Sequence, residues 1–114
     1  MESKIDLSYI NEIAGGDEAM VKELISDIID LIHETERNLQ HFLQQKDFSG
    51  IAEAAHKLKA PIQMVGANLF YEKIQELESV AKSTNVVDEI MPLYYSIGAL
   101  STNCKKDLEK FVDN

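Results

Sequence analysis

One stretch of this chain has side chains arranged for chemistry. Residues 54–71 contain no Asp or Glu, where the chain average would give about three. The stretch includes His56, Lys57 and Lys59. On a helix, His56, Lys59, Ala60 and Gln63 fall at i, i+3, i+4 and i+7, so they share one face. The opposite face takes Ala52, Ala55, Leu58, Ile62 and Val65. An exposed imidazole with a lysine one turn away suits a phosphoryl group. Neutral imidazole is a nucleophile near pH 7, and the ammonium offsets phosphate charge. Ala60 and Gly66 offer flat surface for the close approach of a partner, and the bland alternative is a solvated histidine among ordinary lysines.

The other histidines lack such surroundings. His33 and His41 sit toward the polar side of a long helix. Asp30 and Arg37 flank His33 at i−3 and i+4, which is not a metal-ligand set. No metal or cofactor is expected. Met20, Met64, Met91, Tyr94 and Tyr95 read as packing or surface residues, and Cys104 as a small buried hydrophobe.

The elements that must position these residues are helical. From Val21 the apolar residues fall at Leu24, Ile25, Ile28, Ile29, Ile32, Leu39, Phe42 and Leu43, a helical stripe. Asp17 is placed to cap it after Gly15 and Gly16, with Leu7, Ile10 and Ile13 forming a short helix before them. A turn follows near Lys46–Gly50, with Asp47 or Ser49 as the next cap. The helix bearing His56 passes through Pro61, where a kink is expected, and stops at Gly66. Asn68 caps a further helix with Leu69, Phe70, Ile74, Leu77 and Ala81 on one side. After a loop at Ser83–Asn85, the last helix carries Ile90, Leu93, Ile97, Leu100, Cys104, Leu108 and Phe111, with Pro92 in or near its first turn. The expected fold is all-α: an antiparallel four-helix bundle with a short extra N-terminal helix packed across one end.

Composition narrows the function. A chain of 114 residues fits a single domain spanning 1–114, and 45% apolar content argues against disorder. A net charge of −9 disfavours nucleic-acid binding. One cysteine excludes an internal disulfide. No secretory leader or membrane-length apolar run is evident, so a cytoplasmic location is expected, with no membrane partner.

The segment His56-Lys57-Leu58-Lys59-Ala60-Pro61-Ile62-Gln63-Met64-Val65-Gly66-Ala67 resembles the phospho-acceptor segment of histidine phosphotransfer domains. The family pattern is His, any, apolar, Lys, two small residues, then an apolar residue followed by Gly. Leu58, Lys59, Ala60, Val65 and Gly66 match it in type and spacing, and the entry Ile13–Glu18 resembles the family's Gly-Asp start to its long helix. The resemblance extends over nearly the whole chain. It implies a phosphorelay carrier: His56 accepts a phosphoryl group from an aspartyl phosphate on a response-regulator receiver domain, such as one within a hybrid sensor kinase, and passes it to another. It also implies that Lys59 stabilises that group, that Gly66 lets the receiver approach closely, and that Ala60 and Gln63 lie on the docking face; Lys57, which is not a fixed family feature, is read as a further partner-binding residue beside them. A monomer suffices, and the magnesium belongs to the receiver. Such a chain is a covalent carrier rather than a true enzyme.

Pro61 departs from the family, which has Ser or Ala there. It also raises a rival, the His-Glu-Leu-Arg-Thr-Pro-Leu box of sensor-kinase dimerisation domains. That box has an acid after its histidine, where this chain has Lys57, and the chain has no room for a kinase domain. A second rival is a helical adaptor that docks receivers or other helical partners without being phosphorylated.

Overall fold

The computed structural model describes residues 5–113 and is all-helical, with no strand among the described residues. The five helices are α1 (Ser8–Ile13), α2 (Glu18–Gln44), α3 (Phe48–Met64), α4 (Asn68–Ser83) and α5 (Val87–Asp113). A 27-residue helix such as α2 or α5 is about 40 Å long. None of the helices is long and apolar enough to cross a membrane.

Local chemistry sets most of the boundaries. The Asp17 carboxylate accepts from the Met20 backbone N–H at 3.1 Å, capping α2, and Glu18 lies at the helix's positive end. Asp47 accepts from the Gly50 N–H at 2.9 Å and caps α3, so Asp47 rather than Ser49 takes that role. Two expectations shift. Asn68 is the first residue of α4 and not its cap; Ala67 precedes it and makes no side-chain capping bond. Pro92 lies in the second turn of α5, because the helix already starts at Val87. Helix α3 continues through Pro61 to Met64. A proline has no N–H, so the Lys57 carbonyl four residues back receives no intrahelical bond there.

Packing follows the apolar stripes. Helix α2 packs on α3 and α5, and α4 also packs on α3 and α5. The long helices therefore form a closed ring of neighbours around a shared core. Ile25, Ile32, Ile51, Ile62, Phe70, Ile74, Ile90 and Leu108 are fully buried in it. Burying each such side chain contributes about 1.5–3 kcal/mol. Cys104 is buried as expected, and burial pushes its thiol up to about 12.

The short α1 packs beside α2 and buries Ile10, while Ile13 at its end stays half-exposed. The preceding segment is clipped to the exit of α3: the Asp6 N–H donates to the Val65 carbonyl at 2.7 Å. Gly66 makes this possible. Its φ is +69°, and a Cβ there would come within 2.6 Å of the Asp6 Cβ and 2.9 Å of the Asp6 backbone.

Candidate functional site

His56 stands on α3 and faces α4. The stripe Ala52, Ala55, Leu58 and Ile62 is buried, which turns His56, Ala60 and Gln63 outward. Two-thirds of the His56 side chain is exposed. Its partner across the α3–α4 contact is Glu78, a carboxylate that is almost wholly buried.

Glu78 collects three donors. His56 Nδ1 lies 2.8 Å from its Oε2, Lys59 Nζ donates to Oε1 at 2.8 Å, and Lys82 Nζ donates to Oε2 at 3.2 Å. A buried carboxylate needs such partners, because an unpaired charge there is costly. The bond from Lys59 holds the Glu78 carboxyl down at about 2 against the opposing effect of burial, with Lys82 and His56 adding to it. In return, the bond to Glu78 pushes the Lys59 ammonium up against burial.

This geometry fixes the imidazole. An ionised carboxylate only accepts, so Nδ1 of His56 carries a proton and donates it. In the neutral ring, Nε2 then holds a free lone pair. Nε2 has no hydrogen-bond partner among the described residues. The arrangement presents an oriented nitrogen nucleophile at the surface, with a buried negative charge behind the ring to stabilise any positive charge that develops on it.

His33 has different surroundings. On the α2–α5 side, Lys105 Nζ lies 3.3 Å from its Nδ1 and 2.6 Å from Glu36 Oε1, and Ser101 Oγ donates to Glu36 Oε2 at 2.7 Å. Glu36 Oε1 also lies 3.7 Å from Nδ1, so this nitrogen faces an ammonium and a carboxylate together, and no single buried acid sets its tautomer. His41 is exposed and its ring lies against Phe42, with centroids 5.7 Å apart.

The residues singled out by sequence fall into three sets. His56 and Lys59 meet through Glu78. Ala60 and Gln63 share the same outward side and, with Tyr9 and Met64, line a shallow hollow of about 540 Å³. Lys57 turns away and pairs with Glu53 at 3.2 Å on the α3 surface, both side chains well exposed. The close approach that Gly66 permits in this structure is that of Asp6 from the same chain. Glu78 and Lys82 were not singled out by sequence. Their signal was an acid in the buried stripe Ile74, Leu77, Glu78 and Ala81, with a lysine one turn on.

Among the described residues, no group of three His, Cys, Asp or Glu side chains is placed to hold a metal ion. The chain has no match among protein-family models and no significant match among curated proteins or solved structures.

Proposed function

We propose that this chain is a histidine phosphotransfer domain: an antiparallel four-helix bundle, with α1 added, that carries a phosphoryl group on His56 between receiver domains. The observation that carries the reading is the His56–Glu78 pair, 2.8 Å apart, on a histidine whose side chain is two-thirds exposed and whose other ring nitrogen has no hydrogen-bond partner among the described residues. A histidine serving only as surface needs no buried acid behind it.

The Nε2 lone pair attacks the phosphorus of the receiver's aspartyl phosphate. The N–P bond forms, the P–O bond to the aspartyl oxygen breaks, and the carboxylate leaves with that electron pair. Nδ1 keeps its proton, so the phosphorylated ring is an imidazolium facing the Glu78 carboxylate. Transfer onward is the reverse, toward a different receiver. Positioning and the receiver's own metal supply most of the rate. The exposed side of α3, with Ala60 and Gln63, is the docking surface in this reading, and the carrier works as a cytoplasmic monomer without a cofactor.

Incubation with a phosphorylated receiver tests this. The expected result is an acid-labile, alkali-stable label that maps to His56. A folded chain that several phosphorylated receivers leave unlabelled overturns it, and receiver binding without labelling then identifies an adaptor.

A further inference from the structure

Glu78 is held unevenly by its two lysines. Lys59 takes Oε1 alone at 2.8 Å, whereas Lys82 shares Oε2 with His56 at the longer distance of 3.2 Å. The Lys59 side chain is 23% exposed and that of Lys82 is 65% exposed. An open cleft of about 620 Å³ lies beside His56, and its walls include Glu78, Lys82 and Thr84 but not Lys59.

We infer that the two lysines divide the work: Lys59 is a positioning residue that clamps Glu78, and Lys82 is the exchangeable cation that leaves Glu78 to pair with a phosphoryl group on His56. Naming a phosphoryl group as the ligand rests on the phosphotransfer reading, but the family resemblance assigns that pairing to Lys59.

The energetics favour this division. Withdrawing Lys59 would strip the short bond from one oxygen of a buried carboxylate and pull a side chain that is mostly covered out into solvent. Withdrawing Lys82 leaves Glu78 with Lys59 and with His56, whose ring gains positive charge on phosphorylation and so bonds the carboxylate more strongly. The flexible four-carbon stem of Lys82 lets its ammonium follow the new charge into the cleft that it already lines.

Phosphoramidate tests the inference without a protein partner. Its P–N bond breaks, ammonia leaves and the phosphoryl group bonds to Nε2. Phosphorus NMR then follows the titration of the phosphoryl group and its lifetime in the wild type and in Lys82→Met, Lys82→Arg and Lys59→Met. Loss of a nearby cation should raise the phosphoryl pKa by about half a unit to one unit in Lys82→Met, with near wild-type behaviour restored by Lys82→Arg. Lys59→Met should instead alter the nitrogen-15 signals of the unphosphorylated His56 ring. Wild-type titration and lifetime in Lys82→Met would overturn the inference, as would a larger phosphoryl shift in Lys59→Met. Absence of phosphohistidine at His56 in the wild type would overturn it too, since Lys82 would have nothing to hold. A wild type labelled by phosphoramidate but not by any phosphorylated receiver would defeat the relay reading alone.

Discussion

His56 Nδ1 and Glu78 Oε2 lie 2.8 Å apart, joining α3 to α4 between an exposed ring and a buried carboxylate. Their bond decides which ring nitrogen is free to react. Glu78→Gln keeps the shape and removes the charge, so it should slow transfer from a phosphorylated receiver by about tenfold or more. Nitrogen-15 shifts of His56 should show the two neutral tautomers mixed. A rate unchanged from wild type would remove Glu78 from the mechanism.

The same carboxylate makes the fold sensitive to acid. The folded-state value of Glu78, about 2, lies below its ordinary 4.5. Its ionised form therefore stabilises the protein above about pH 4.5, and that contribution is lost as the pH falls from 4.5 toward 2. Urea midpoints across this window should fall more steeply for the wild type than for Glu78→Gln, and the two proteins should converge near pH 2. Parallel curves would refute the link.

Two glycines should respond oppositely to alanine. Gly66→Ala places a Cβ in the left-handed region and against the Asp6 backbone, so it should cost about 1–2 kcal/mol and release Asp6 from Val65. Gly98 lies inside α5 with open space around it, so Gly98→Ala should gain about 0.5–1 kcal/mol. Chemical denaturation at neutral pH measures both.

Labelling should discriminate between the histidines. His56→Ala should abolish phosphoryl uptake with little change in stability, because most of the side chain is exposed. His33→Gln should label like the wild type, since no buried carboxylate orients the His33 ring as Glu78 orients His56. Uptake by His56→Ala, mapped by mass spectrometry, would place the acceptor elsewhere.

Cys104 provides an internal control. Its thiol is wholly buried and pushed up to about 12, so alkylating reagents near pH 8 should modify it only on unfolding. Rapid modification of any of these variants would mark that variant as misfolded.

The helices were legible because their apolar residues repeat at 3 and 4, and because Asp17 and Asp47 are ordinary caps. Helix α4 begins without a side-chain cap, so Asn68 was a misleading signal. The outward face of α3 could be read from spacing within one helix. Glu78 could not, since its meaning depends on a neighbour 22 residues away across a packed interface. Gly66 looked like room for a partner, but Asp6, far off in sequence, occupies that space. Local periodicity carries no information about either pairing.

One carboxylate answering to His56, Lys59 and Lys82 also limits how experiments on the site can be added together. Removing any one donor changes the bonds of the other two, so single substitutions will overstate what each side chain contributes. A double substitution of Lys59 and Lys82 should therefore deviate from the sum of the single effects. The size of that deviation, rather than any one loss, measures the cluster as a unit.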